Sequence, residues 1–175
     1  MNQTLIVYLS REGQTRKIAE CLAAELRLAG RPVAVAELTA VSTEALAAAG
    51  QIVVGASIHY GRLPAVLYAF VAQHQPLLAA RANAFFCVNL TARKQGKDTP
   101  QGSSYVRKFL QRSPWQPQRL AVFAGALCYS RYRWYDRWMI RFIMWLTKGP
   151  TDTRIDLELT DWDKVRAFAR QLLVG

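Results

Sequence analysis

The stretch "QTLIVYLSREGQTRKIAE", residues 3–20, sets the terms for the whole chain. Its first half, residues 3–10, is a continuous apolar, β-rich run, the pattern of a parallel strand covered on both faces. Its second half opens a helix: Ile18, Cys21, Leu22 and Leu26 recur at helical spacing from Gln14 to Leu28, and Gly30 closes the segment. Between them lies a short turn, "SREG". It supplies hydroxyls from Ser10 and Thr15 and unencumbered backbone N–H groups at Gly13 and Gln14. A strand running through such a turn into a helix places those donors at the positive end of the helix, which makes a phosphate cradle. The turn lacks both the Walker spacing and the GxGxxG dinucleotide pattern. An ordinary helix N-cap built from Ser10 and Gly13 is the competing reading.

Outward from this stretch the pattern repeats. Residues 32–38, 51–57, 83–90 and 119–127 read as further strands. Helices are expected at 43–49, from Pro64 toward His74, at 101–112 and from Asp161 to Val174, while 153–160 alternates like an edge strand. Regular alternation of strand and helix implies parallel strands, right-handed crossovers and helices on both faces, an α/β class. Length and composition fit one domain spanning 1–175, with no repeats and no low-complexity linker. The exceptional connections are 91–100 and 128–152, both longer than usual, and function is expected there.

Charge points to the same region. The net charge is +11, and between Arg93 and Lys148 twelve Lys/Arg face only Asp98 and Asp136, a net of +10. The remainder carries eleven basic and ten acidic residues, so an anionic partner is expected for one segment rather than for the whole surface. Cys21, Cys87 and Cys128 lie in apolar runs without metal spacing and are read as buried free thiols of a reducing compartment; no metal site is expected. The N-terminus does not read as a signal peptide, and no run is long and apolar enough for a membrane span.

The turn at 10–15 resembles the flavodoxin phosphate loop, (Ser/Thr)-x-(Ser/Thr)-Gly-x-(Ser/Thr), which takes the terminal phosphate of FMN. Glu12 departs from that pattern. A carboxylate cannot donate to a phosphate, so Glu12 is expected to point away, with Arg11 supplying positive charge. By the same resemblance "GASIHYGRLP" (55–64) wraps the flavin ring with Ser57, Ile58, His59, Tyr60 and Gly61. "VNLTARK" (88–94) brings Asn89, Leu90, Thr91 and Ala92 to the ring edge. The fold so implied is a flavodoxin-like, doubly wound, five-stranded parallel sheet of order 2-1-3-4-5, its fifth strand interrupted by the insertion at 128–152. His59 is the one group in the ring loops titrating near neutral pH, a candidate for catalysis or simply an exposed loop histidine.

The insertion "CYSRYRWYDRWMIRFIMWLTKGP" is basic and aromatic, whereas electron-carrier flavodoxins are acidic. On a helix over 133–147, Arg133, Arg137 and Arg141 form one stripe, and Trp134, Trp138, Met139, Ile140 and Phe142 begin an apolar arc covering most of the rest. Three readings compete: a partly buried core helix, a nucleic-acid element, and an interfacial helix with aromatics at the acyl boundary and arginines on anionic headgroups. The third uses every residue type, and no nucleic-acid partner is expected.

Taken with "TDTR" (151–154) and "TDW" (160–162), these segments resemble the FMN-dependent protoporphyrinogen oxidases of bacteria, quinone-linked dehydrogenases of haem synthesis. The resemblance implies six-electron oxidation of protoporphyrinogen IX with menaquinone or ubiquinone as acceptor. Arg93, Lys94, Arg131, Arg133, Arg137 and Arg141 would pair with propionates or headgroups, and Trp134, Tyr135 and Trp138 would offer faces to the macrocycle. It also implies peripheral attachment at the cytoplasmic side of the cell membrane; self-association stays open. Two other functions compete: a non-enzymatic electron-transfer flavodoxin with a basic docking surface, and a flavin-dependent NAD(P)H:quinone reductase.

Overall fold

The computed structural model describes residues 3–128, 133–146, 148–149, 151 and 156–174. Five parallel strands, β1 (Thr4–Leu9), β2 (Val33–Glu37), β3 (Gln51–Ser57), β4 (Ala82–Asn89) and β5 (Arg119–Ala124), form one sheet of order β2-β1-β3-β4-β5. Register runs in step across it, Ile6 opposite Val35 and Val53, and Phe85 opposite Val54 and Leu120.

Each strand feeds two cores because successive side chains point to opposite faces. Leu5, Val7, Ile52, Val54, Phe85, Cys87 and Val122 pack beneath α2 (Thr43–Ala48), α3 (Ala65–Ala79) and α4 (Ser104–Arg112). Ile6, Val53, Ala84, Phe86, Ala121 and Phe123 pack beneath α1 (Gln14–Leu28) and α6 (Trp162–Leu173). This two-sided burial is why the strands read as unbroken apolar runs. The first core is stapled by stacked Phe85 and Phe109, ring centroids 4.3 Å apart, with buried Trp115 edge-on to both. In the second, Gly55 lies against the ring of Phe86: a Cβ there would sit 2.0 Å from Cζ, so any larger residue has to displace that ring.

Helix starts follow local chemistry. Ser42, Ser103 and Asp161 cap α2, α4 and α6 by accepting from the N–H three residues on. α3 runs past His74 to Ala79 and contains Pro76, five residues beyond the expected end.

The strand expected over 119–127 breaks at Gly125, whose N–H goes to the carbonyl of Asn89. Ala126–Leu127 (β6) pairs antiparallel with Leu157–Glu158 (β7) in a separate ribbon. The insertion therefore leaves from beyond the end of β5 rather than splitting the strand, and 156–160 returns as a stem, not as an edge of the main sheet. Antiparallel pairing is what a chain makes when it departs and comes back at one place. Between the two stem strands lies α5 (Trp134–Leu146). Of the three free cysteines Cys87 alone is fully buried; Cys21 and Cys128 are half-buried.

Candidate flavin site

The strand order places crossovers on opposite sides of β1, so the carboxyl ends of β1 and β3 part and leave a crevice. A cavity of about 230 Å³ lies there, lined from the turns after β1, β3 and β4 and from one face of α5.

At its first wall, Gly13 adopts φ 92°, in the left-handed region that glycine enters without cost, and starts α1. Its N–H donates to Ser10 Oγ at 3.1 Å, which folds the turn on itself. Lys17 makes the first intrahelical bond, to Gly13, so the N–H groups of Gln14, Thr15 and Arg16 precede the ladder. Thr15 is 1% exposed, and its hydroxyl is one of two buried side-chain polar atoms without a hydrogen-bond partner among the described residues. A buried, unsatisfied hydroxyl beside helix N–H groups that precede the ladder is the donor set of an anion cradle. The residues present thus fit the phosphate of FMN. The Gln14 side chain is otherwise engaged, donating to Thr160 Oγ1 at 2.8 Å, and Thr160 in turn donates to the Ala124 carbonyl. The "TDW" segment therefore braces the phosphate turn.

Glu12 lines the cavity, contrary to the expectation that it points away. The guanidinium of Arg11 explains this: its Nε lies 3.7 Å from the Glu12 carboxylate, offsetting a charge that would otherwise repel a phosphate.

The second wall is a tight hairpin. His59 and Arg62 exchange backbone hydrogen bonds of 2.9 and 3.1 Å around Tyr60 (φ 47°) and Gly61 (φ 73°). Two successive positive φ values define a type I′ turn, and a tyrosine held there is backbone strain located at the site. Arg11 Nη1 donates to His59 Nε2, which assigns the neutral, Nδ1-protonated tautomer. Burial first, and Arg11 next, push the His59 pKa below its ordinary value, against a smaller opposing pull from Asp136. Ser57 and Ile58 complete this wall.

Asn89 is buried and turned inward: its Oδ1 accepts from Thr91 Oγ1 (2.7 Å) and Ala92 N–H (2.9 Å), capping the 3₁₀ turn Leu90–Arg93. Asn89, Leu90 and Thr91 line the cavity; Ala92 and Lys94 face a second hollow behind the turn, and Gly13 shapes its wall without lining it. Arg93 lines both, with Nη1 donating to the Leu90 carbonyl at 2.8 Å. Burial pushes the Cys87 thiol up to about 12, an inert core group beneath this wall.

The fourth wall is α5, and its orientation differs from the sequence expectation. Asp136, Met139, Ile140, Ile143 and Met144 line the cavity. Trp134 (81% exposed) and Trp138 (71%) face outward with Tyr135, Phe142, Trp145 and Leu146, so they offer the cavity no aromatic face. Arg133 is exposed, and Arg137 and Arg141 also lie off the lining. Arg131 falls outside the described residues. What sequence reasoning missed is Asp136, 5% exposed, which accepts a hydrogen bond from the Tyr60 hydroxyl. Its signal was present: it is one of only two acids among the twelve cations between Arg93 and Lys148. Tyr105, from the start of α4, also lines the cavity unforeseen.

Among known proteins, the flavodoxin domain family matches residues 5–154. The chain is 47% identical over 170 residues, 97% of its length and 94% of the relative's, to the protoporphyrinogen IX dehydrogenase [quinone] of Escherichia coli (strain K12). It is 42% identical, over 94% of its length and 72% of the relative's, to the protein of the same name from Leishmania major. Oxidised Flavodoxin 2 from Bacillus cereus has the same fold, with a TM-score of 0.59 at 20% identity, covering 98% of each chain. The phosphate cradle, the three strand-end loops and this likeness along nearly the whole chain agree: the protein belongs to the flavodoxin domain family, among the quinone-linked protoporphyrinogen IX dehydrogenases.

Proposed function

We propose that this protein is an FMN-dependent dehydrogenase that oxidises protoporphyrinogen IX to protoporphyrin IX and delivers the electrons to a membrane quinone. One observation carries the reading: near-full-length identity to proteins of that name extends through α5, the element that gives the flavin cavity an apolar wall. Bound FMN supplies the redox chemistry, accepting two electrons per step and releasing them to the quinone.

The chain supplies position and environment. The start of α1 and the Thr15 hydroxyl would hold the phosphate, and the 57–61 and 89–91 loops would flank the ring system. The Met139, Ile140, Ile143 and Met144 face is apolar and suits an apolar macrocycle or quinone ring. Arg93, on the cavity lining, brings a cation that suits a propionate.

We propose peripheral attachment to an anionic membrane surface on the cytoplasmic side of the cell membrane; the outer face of α5 supports the attachment, not the side. Exposed Trp134, Trp138, Phe142, Trp145 and Leu146 beside Arg133, Arg137 and Arg141 have the composition of an interfacial helix. Among the described residues no helix is long and apolar enough to cross a membrane. Attachment at a surface would bring the cavity to a quinone dissolved in the bilayer.

The test is anaerobic. Protoporphyrinogen IX should bleach the bound flavin as porphyrin fluorescence appears, and menaquinone or ubiquinone should restore the colour. Flavin that stays oxidised with porphyrinogen but is reduced by NADPH would overturn the proposal.

A further inference from the structure

We infer that Asp136 is the proton acceptor of this site, taking the N–H proton that a porphyrinogen releases with each pair of electrons. The inference rests on the dehydrogenase reading above and assigns it a residue.

Oxidation of a porphyrinogen by two electrons breaks two bonds. A C–H bond at a bridging carbon breaks with its electron pair and hydrogen going to the bound flavin. An N–H bond breaks with its electron pair entering the π system of the macrocycle, and the proton needs an acceptor. Three such steps remove three bridging hydrogens and three N–H protons, and a proton passing from the fourth bridging carbon to a nitrogen then gives the porphyrin. The cavity offers few. The His59 ring is held neutral against Arg11, which disfavours adding a proton there. Glu12 lies beside the same guanidinium at the phosphate end. Tyr60 and Tyr105 carry phenols whose pKa values are raised, and both are protonated donors at neutral pH. Arg93 is a cation.

Asp136 stands apart. It projects from the α5 face that is otherwise Met139, Ile140, Ile143 and Met144, and it is buried. Its hydrogen-bond partner, Tyr60, is a neutral phenol, and the exposed Arg133 acts on it only through its charge. Holding a carboxylate out of water against a neutral donor is costly, and a neutral Asn would accept the same bond without that cost. A carboxylate facing an apolar reaction cavity is, by contrast, what proton removal requires. Half-exposed Tyr60, on its outer side, gives the proton a way to solvent.

The experiment compares FMN-loaded wild type with Asp136→Asn, Asp136→Glu and Tyr60→Phe. Asparagine keeps an oxygen for Tyr60 and removes the basic site; Tyr60→Phe does the reverse. Asp136→Asn should keep wild-type FMN affinity, melting temperature and protoporphyrin binding by fluorescence titration. Its single-turnover reduction by protoporphyrinogen should fall by about 10²-fold or more. Asp136→Glu should recover part of the rate, and Tyr60→Phe should lose less than Asp136→Asn. An Asp136→Asn rate equal to wild type overturns the inference alone. So does a Tyr60→Phe loss as large as that of Asp136→Asn, or an Asp136→Glu variant no faster than Asp136→Asn. Wild-type flavin untouched by protoporphyrinogen removes the functional reading and this inference with it.

Discussion

The Tyr60 hydroxyl donates a hydrogen bond to the Asp136 carboxylate, tying the hairpin after β3 to a helix 76 residues further along the chain. The two residues come from the flavodoxin core and from its insertion, so this bond fastens the inserted helix to the site alongside its apolar packing. Donating that bond is the first cause that raises the Tyr60 pKa above its ordinary value. Tyr60→Phe should therefore loosen α5 without unfolding the sheet. Amide exchange across Trp134–Leu146 should quicken while β3 and β4 keep their protection; unchanged exchange in α5 would show that its apolar contacts alone hold it.

Thr15→Ala should weaken FMN binding. The hydroxyl is buried without a partner among the described residues, and a hydrogen bond to a charged phosphate contributes about 1.5–3 kcal/mol, or roughly 10- to 150-fold in Kd. Flavin fluorescence quenching measures this directly. Equal affinity in the variant would remove the phosphate assignment.

His59 should titrate below 6.5, followed by its ring proton resonance, because burial and the Arg11 charge disfavour the imidazolium. Arg11→Ala should move the midpoint upward. The consequence for stability has a definite sign. The folded protein binds fewer protons at this site than the unfolded chain, so the site's contribution is complete above 6.5 and is lost as pH falls from there toward the folded pKa. A midpoint at or above 6.5 in the wild type would contradict the Arg11–His59 geometry.

Gly55→Ala should destabilise the domain by about 1–3 kcal/mol, since the new methyl meets the Phe86 ring within the second core. Adding Phe86→Leu should restore part of the loss. Chemical denaturation of the single and double variants checks the pair.

Trp138→Ser combined with Trp145→Ser should reduce cosedimentation with vesicles containing anionic lipid while leaving FMN bound, because both side chains face away from the cavity. Binding to such vesicles unchanged by the two substitutions would detach the outer face of α5 from any membrane role.

The sheet was legible because its strands are covered twice: "QIVVGAS" and "NAFFCVNL" admit hardly any other reading, and the turn after each announced a loop at one end of the sheet. The orientation of α5 was not legible. Around one helix the sequence presents two apolar arcs, Met139–Ile140–Ile143–Met144 and Trp134–Trp138–Trp145, and periodicity weighs both alike. What decides between them is tertiary: Leu127, Leu90, Leu157 and Leu159 pack with Ile140 and Met144 on the first. Asp136 escaped for a similar reason, since only its neighbours distinguish a buried carboxylate from a solvated one. The departure at Gly125 was hidden because its neighbours are apolar on either side and a two-residue stem has too short a period to register.

That stem sets how the excursion hangs on the sheet. Leu127 and Leu157 stand opposite each other as a ladder pair, so the chain exits and re-enters across the width of a single strand spacing. α5 is thus moored at one place in the backbone, and the cofactor crevice gains a fourth wall without an added strand in the main sheet.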